Sequence, residues 1–356
     1  MHLFQCLGSR MEPIRLTLVG HGVRGKQWAA SMGRVPGVRL EAIVDRLPVQ
    51  GVRISTFPTL EQALDAGVAD AVILATPPEA HRGAVLACVE RRIPVLCEKP
   101  LTETLAEARE IAQLATAASS VVWVGMNFRY VPAVQQLRNL VLSRDIGSVM
   151  FGQFSYTRNR NGRDPRLNDY PLSMQDPFLL EQAVHHLDLI RYAYCQDVEF
   201  VQCKQWNFQG SGYEGNTCVA ALLELKDGTC VTYFGSWTAG TNRLRYVWRS
   251  DFTGGAVRHC DPFANLQISR LDKGFHVNSW GAEPELAPFA EIAGGACEPF
   301  RGDLDLLLAA FAAAVRGDEV MGPTAVDHLN TLAVVDACQR ASGLGMRVLV
   351  ESGAEV

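Results

Sequence analysis

The 356-residue chain has no apolar run approaching the roughly 20 residues that a bilayer-spanning helix needs. It has no basic surplus either: 33 Lys and Arg stand against 38 Asp and Glu, for a net charge of −5. A nucleic-acid binder ordinarily shows the opposite balance, and nothing in the charge pattern recruits the chain to a membrane. No internal repeat or low-complexity tract interrupts a composition that is 48% hydrophobic and 20% charged, ordinary for a globular protein. No nucleophile-elbow serine motif occurs. Ten cysteines are present, yet no CxxC pair, and Cys88, Cys97, Cys218 and Cys230 fall inside apolar helix or strand patterns. Buried reduced thiols of this kind predict a cytoplasmic protein. Residues 1–10 lack the charged start and long apolar stretch of an export signal. With a second methionine at Met11, the first 13 residues read as a leader outside the fold.

A chain this long predicts two domains. Strand patterns at residues 14–19, 38–44, 53–57, 71–75, 95–97 and 121–124 alternate with helical patterns at 25–32, 60–66, 80–91 and 105–117. That alternation predicts an α/β fold, a doubly wound parallel sheet over residues 14–128. Beyond Tyr130 the strands lengthen and alternate, as over residues 149–156. Residues 219–225 and 230–236 flank Lys226-Asp227-Gly228-Thr229, a hairpin turn signal. Residues 129–356 are therefore expected to form an α+β domain on a large, mostly antiparallel open sheet with helices on one face. An uncovered apolar sheet face needs a partner, so a homodimer or homotetramer is expected. Two helices close the chain, at 304–316 and 325–341, and could pack back on the first domain. Thr324 and Asp327 occupy capping-box positions, and Gly343 reads as the C-cap.

Gly20-His21-Gly22-Val23-Arg24-Gly25 is a GxGxxG placed after the first strand and opening a helix. The first glycine permits the tight turn, the second lets backbone approach a pyrophosphate, and the third lets helix pack closely on strand. Val23 and Arg24 lie within the same turn. Asp45, at the end of the second strand, can accept hydrogen bonds from ribose hydroxyls and repel a 2′-phosphate, which favours NAD. Arg46 beside it could accommodate that phosphate and leaves NADP open.

Thr76-Pro77-Pro78-Glu79-Ala80-His81 follows the fourth strand and Glu98-Lys99-Pro100-Leu101 the fifth. Together with the glycine-rich turn and Asn127-Phe128-Arg129-Tyr130, the chain resembles the glucose–fructose oxidoreductase, inositol dehydrogenase and rhizopine-catabolism family (Gfo/Idh/MocA). The resemblance runs from Ile14 to the last strand near Val348, and the Glu-Lys-Pro segment is its most specific piece. It implies hydride transfer between a nicotinamide cofactor and a sugar, cyclitol or sugar acid. It also implies that Thr76 and Pro77 lie along the cofactor with His81 and Asn127. Glu98 would sit near the nicotinamide ribose and Lys99 between nicotinamide and substrate, with Arg129 and Tyr156 on the substrate side. Independently of the family, the carboxyl end of a parallel strand is where such sheets bind ligands.

Residues 178–194 read as one helix whose apolar face holds Leu180, Ala183, Val184, Leu187 and Ile190. Glu181, His185 and Asp188, at i, i+4 and i+7, share one polar stripe. His186 lies about 100° around the axis from His185 and is a second substrate-side candidate. Neighbouring positions diverge, so His185, His186 and Asp188 do not converge on an ion, and no metal is expected. The family carries an aspartate four residues before its histidine; here Glu181 is one methylene longer. The resemblance implies that His185 is the general base, that Lys99 stabilises the alkoxide, and that Glu181 orients histidine or substrate. Upstream, Arg158, Arg160, Arg163 and Arg166 cluster with Asn159, Asn161 and Tyr170. The cluster reads either as a solvated basic loop or as a substrate lid suited to an acidic sugar. Two other readings of the whole chain stay open: an enzyme cleaving glycosides by transient oxidation, and an NAD(H) sensor without catalysis.

Overall fold

The computed structural model describes residues 12–161, 169–240, 244–260, 265–271, 290–292 and 302–351. Residues 1–11 of the expected leader, and the candidates Arg163 and Arg166, lie outside the described residues. The chain forms two compact units. The first comprises residues 1–102, 110–125 and 304–325, and the second the remainder.

In the first unit, β1 (Ile14–Val19), β2 (Val38–Val44), β3 (Ser55–Phe57), β4 (Ala71–Leu74), β5 (Val95–Cys97) and β6 (Val122–Val124) pair in parallel. Their order is β3-β2-β1-β4-β5-β6. Every side chain of β4 and β5 is buried, the mark of strands covered on both faces. The crossovers carry α1 (Val23–Met32), α2 (Leu60–Asp65), α3 (His81–Glu90) and α4 (Leu105–Ala117), of which residues 110–117 belong to this unit. Helix α1 begins two residues before the expected start because Gly22 is its N-cap. The strand order reverses between β1 and β4, so the loops leaving them part and open a crevice at the carboxyl edge.

The second unit holds α5 (Pro132–Ser143), β7 (Val149–Thr157) and α6 (Val184–Tyr194), the last entered through a π-helical turn, Leu179–Ala183. Then come β8 (Val198–Trp206), β9 (Cys218–Leu225), β10 (Cys230–Ser236), β11 (Arg245–Phe252), β12 (Gly255–Cys260), β13 (Asn265–Arg270) and β14 (Ala290–Ile292). From Leu304 on, α7 (Gly302–Val315) belongs to the first unit, where Phe311 packs 5.9 Å from Trp123. From Val326 on, α8 (Ala325–Leu344) belongs to the second, which β15 (Val348–Leu349) completes. The nine strands run β14-β13-β12-β11-β7-β10-β9-β8-β15. Among the described pairings only β7 with β10 is parallel.

Alternation along these strands separates two faces. Phe154, Tyr156, Tyr233, Tyr246 and Trp248 are buried on one, and His186 of α6 packs into them, 4.7 Å from both Phe154 and Tyr156. The other face carries Phe151, Leu222, Phe234 and Val247, each between 38% and 49% exposed. Helix α8 outruns its expected end: Gly343 lies inside it, and Gly345, at φ +69°, makes the left-handed exit and donates to Ala341 O (2.8 Å). At the start of this helix Thr324 N–H donates to Gly322 O (2.9 Å), and the Asp327 carboxylate receives Arg129 and Arg191.

Candidate active site

The glycine-rich turn of the first unit has one glycine for each mechanical demand. Gly20 takes φ +89°, and a Cβ there would lie 2.7 Å from Ala75 O on the neighbouring strand's loop. A Cβ on Gly25 would lie 2.0 Å from Gly20 O, so only hydrogen lets α1 start this close to β1. A Cβ on Gly22 would meet nothing within 4 Å. Open space therefore adjoins the N-terminus of α1, where unpaired N–H groups and the helix dipole favour a phosphate. Val23 at this end is exposed. Asp45 stands beside the turn: its Oδ2 accepts His21 N–H (2.8 Å) and its Oδ1 accepts Leu47 N–H (2.9 Å). Each oxygen keeps accepting capacity for a ribose hydroxyl. Arg46 next to it is exposed.

Two further loops leave the same edge of the sheet. After β4, the Thr76 hydroxyl oxygen is buried with no hydrogen-bond partner among the described residues, and Pro77 is exposed. His81 is fully buried, its Nδ1 2.9 Å from Pro100 O and its Nε2 2.9 Å from Thr76 O. It ties the loop after β4 to the loop after β5, which makes it a support for the cofactor loops. After β5, buried Glu98 receives Arg24 Nε (2.5 Å), Trp28 Nε1 (2.8 Å) and the Lys99 backbone N–H (3.3 Å). Burial raises the Glu98 pKa, but the charges of Arg24 and Lys99 and the donated hydrogen bonds outweigh it and hold the carboxyl below its ordinary value. Lys99, half-buried, precedes a cis bond to Pro100. Gly125 completes this edge, since a Cβ there would crowd Glu98 Cα and Oε2 at 3.2 Å.

These residues fit an NAD. The glycine turn and α1 would hold its pyrophosphate, Asp45 its adenosine ribose, and the Thr76 hydroxyl offers a buried polar atom for it to satisfy. Trp28, whose indole anchors Glu98, gave no signal in the sequence beyond its place on the buried side of α1.

In the second unit Glu181 and His185 are both buried, at 8% and 6% exposure. A π turn has about 4.4 residues rather than 3.6, so it brings positions i and i+4 closer to one line than an α-helix does; such turns recur at functional sites. The His185 ring is stacked on Phe128, with centroids 4.4 Å apart and planes at 24°. His186, expected to touch substrate, is instead enclosed in the core at 0% exposure. Its Nδ1 lies 2.9 Å from Tyr233 Oη and its Nε2 3.1 Å from Gln182 Nε2. The Gln182 amide nitrogen facing Nε2 donates to it, which leaves the His186 proton on Nδ1 in the neutral tautomer. Burial pushes its pKa down to about 3.

Arg129 and Asn127 are likewise committed to the protein. Arg129 forks onto Asp188 (Nε to Oδ2, 2.7 Å) and also donates to Asp327. Burial alone would lower its pKa, but Asp188 and Asp327 raise it above the ordinary guanidinium value. Arg191 extends the cluster to Asp197 (2.8 Å), Asp327 and Thr331 (2.7 Å). Asn127 donates to Asp303. So Asp188, read with Glu181 and His185 as one polar stripe, faces a guanidinium. The Arg129 fork holds the turn Asn127–Tyr130 against α6, which keeps Phe128 on His185.

Tyr156 is buried, and burial raises its pKa against the opposing charge and hydrogen bond of Arg158. Arg158 is exposed, while Tyr170 is half-buried at the start of a short 3-10 turn, Tyr170–Leu172. Among the described residues no three His, Cys, Asp or Glu side chains gather to hold a metal. No described helix is long and apolar enough to cross a membrane.

Residues 14–126 match a family model described as oxidoreductase family, NAD-binding Rossmann fold, and residues 134–253 match the GFO/IDH/MocA C-terminal domain. An inositol 2-dehydrogenase of Mycolicibacterium gilvum is 28% identical, over 97% of this chain and 96% of its own. The rhizopine catabolism protein MocA of Rhizobium meliloti is 29% identical over 76% of this chain and 89% of its own. Among solved structures, an oxidoreductase from Agrobacterium radiobacter in complex with NAD+, L-tartaric acid and magnesium superposes with a TM-score of 0.81. That alignment covers 95% of this chain and 98% of the other at 19% identity, a likeness of fold.

Proposed function

Because the chain belongs to the Gfo/Idh/MocA family of oxidoreductases, we propose that it is an NAD-dependent dehydrogenase acting on a CH–OH group of a cyclitol or sugar-like polyol. The observation that carries the substrate class is the likeness to an inositol 2-dehydrogenase along 97% of the chain. NAD is preferred to NADP because Asp45, beside the glycine turn at the end of β2, would repel a 2′-phosphate. When bound, NAD+ supplies the hydride acceptor for the carbinol carbon. His185 takes the hydroxyl proton, and Lys99 holds the same oxygen and stabilises the charge that develops on it. Glu181 orients His185 or a substrate hydroxyl. In the reverse direction the same groups protonate a ketone as it is reduced. Arg129 and His186 serve as supports for these groups, since their side chains bond within the protein.

A second copy of this chain is the partner assigned to the apolar sheet face. Phe151, Leu222, Phe234 and Val247 lie on adjacent strands, and one face meeting its own copy makes a closed twofold assembly. A cytoplasmic location belongs to the same reading; what supports it is that the seven described cysteines are unbridged, with burial pushing the Cys88 thiol up to about 12.

The test is a fluorescence titration with NADH and NADPH, followed by an absorbance screen at about 340 nm against cyclitols, aldoses, uronates and disaccharides. Tight NADH binding with turnover of one class supports the dehydrogenase. Binding without net turnover, but with cleavage of a glycoside, would replace it with an enzyme of transient oxidation.

A further inference from the structure

The end of β7 carries donors that hydride transfer does not use. Pairing with β10 continues past Thr157: Arg158 N–H donates to Ser236 O (2.9 Å), Arg160 N–H to Trp237 O (2.6 Å), and Asn159 bridges to Thr238. The alternation of the strand persists with it, so Arg158 and Arg160 leave on the face of Phe154 and Tyr156, the face that α6 covers. The Arg160 guanidinium carbon lies 4.4 Å from the centroid of the Trp237 ring. Trp237 is 0% exposed. Its Nε1–H and the Nε–H of Arg160 are both buried, and neither has an acceptor among the described residues. Among the described residues no carboxylate forms an ion pair with Arg158 or Arg160, in contrast to Arg129, Arg191 and Arg249 of the same unit.

A buried N–H without an acceptor is costly, and two side by side are rare in a finished core. The half-buried Arg160 guanidinium without counter-charge adds a demand for negative charge at the same place, and the exposed Arg158 stands two residues away as a second cation. Phe178 packs edge-on to Trp237 (5.6 Å) and lies 6.3 Å from Tyr156. The donors therefore stand at the end of α6 that bears the π turn and Glu181, three residues beyond Phe178. What fits is a planar group with two acceptor oxygens and one negative charge.

We propose that Arg158, Arg160 and Trp237 form a carboxylate subsite, which narrows the sugar-like polyol of the dehydrogenase reading to one bearing a carboxylate, an aldonate or uronate. This assignment rests on the dehydrogenase reading for its chemistry and on the stranded donors for its charge. Arg158 and Arg160 grip the carboxylate, the Trp237 indole N–H takes one of its oxygens, and the hydroxyl to be oxidised is turned towards His185.

The experiment compares kcat/KM with NAD+ for neutral cyclitols and aldoses and for the matching uronates and aldonates. Binding of the same acids to the NADH-loaded protein is measured separately by calorimetry. The subsite requires the acid to exceed its neutral parent by about tenfold or more. That ratio should fall on the order of ten- to a hundredfold in Arg160→Gln. Trp237→Phe keeps a ring beneath the guanidinium and deletes only the indole N–H, so it should lower the ratio by several-fold even if Arg160→Gln does not fold. Neutral substrates turned over as well as their acids would overturn the subsite and leave the dehydrogenase standing. Acids that bind while no polyol or acid turns over would sustain the subsite and overturn the dehydrogenase. Sugar phosphates preferred over both would overturn the carboxylate assignment.

Discussion

Gly22 and Gly25 sit three residues apart in one turn, and alanine at each should fail differently. At Gly22 the added methyl meets no protein atom within 4 Å, and φ −71° suits any residue. Replacing glycine restricts the unfolded chain, which stabilises by about 0.4–1 kcal/mol. Alanine is a poorer N-cap than glycine by a similar amount. The two effects nearly cancel, so Gly22→Ala should melt within about 2 °C of the parent. The methyl does project into the space assigned to the pyrophosphate, and NADH affinity should fall at least tenfold, about 1.4 kcal/mol. At Gly25 the methyl would lie 2.0 Å from Gly20 O. Backbone cannot yield by rotamer change, so α1 must move off β1, at a cost of roughly 1–3 kcal/mol. Gly25→Ala should therefore lose stability and NADH binding together. Thermal melts with and without NADH, beside fluorescence titrations, separate the two. Unchanged NADH affinity in Gly22→Ala would mean that the pyrophosphate does not lie at this helix end, and the assignment of the turn would fall.

Burial pushes His186 and His259 down to a pKa of about 3 and His328 to about 4. All three are neutral when folded but take protons near pH 6.5 when unfolded, so the stability they supply is present above that value and is lost as pH falls. Near pH 5 three protons are taken up on unfolding, a slope of up to roughly 4 kcal/mol per pH unit; urea midpoints flat between pH 6.5 and 4.5 would contradict it. Lys99→Ala and His185→Ala should each lower kcat/KM by about 10²- to 10⁴-fold, and if both left turnover unchanged the proposed mechanism would be wrong. If the chain assembles through its open sheet face as proposed, Phe234→Asp should give a monomer in size-exclusion chromatography with light scattering where the parent does not, whereas an unaltered mass would overturn that interface.

The sheet of the first unit was legible because its strands are short apolar runs bounded by glycine-rich or proline-bearing turns, a pattern set by burial on both faces. The glycine turn was legible for a similar reason: Gly20 and Gly25 answer steric demands, and Gly22 leaves open space at the helix end. The second unit shows where local pattern stops. Periodicity grouped Glu181, His185 and Asp188 as one stripe, but it cannot say what stands across from them. Asp188 faces Arg129, 59 positions earlier in the chain, and His185 faces Phe128. Both partners come from one four-residue turn, whose arginine fixes the phenylalanine against the histidine. Nor did the apolar spacing foresee the π turn at Leu179–Ala183, which interrupts the α pattern before Val184. His186 illustrates the same limit. Its neighbours in sequence are those of His185, and only non-local rings separate the two: Phe154, Tyr156 and Tyr233 enclose His186, while Phe128 stacks on His185. Adjacent residues of one type on one helix were separated by tertiary packing, and no local pattern could have shown that His186 belongs to the core.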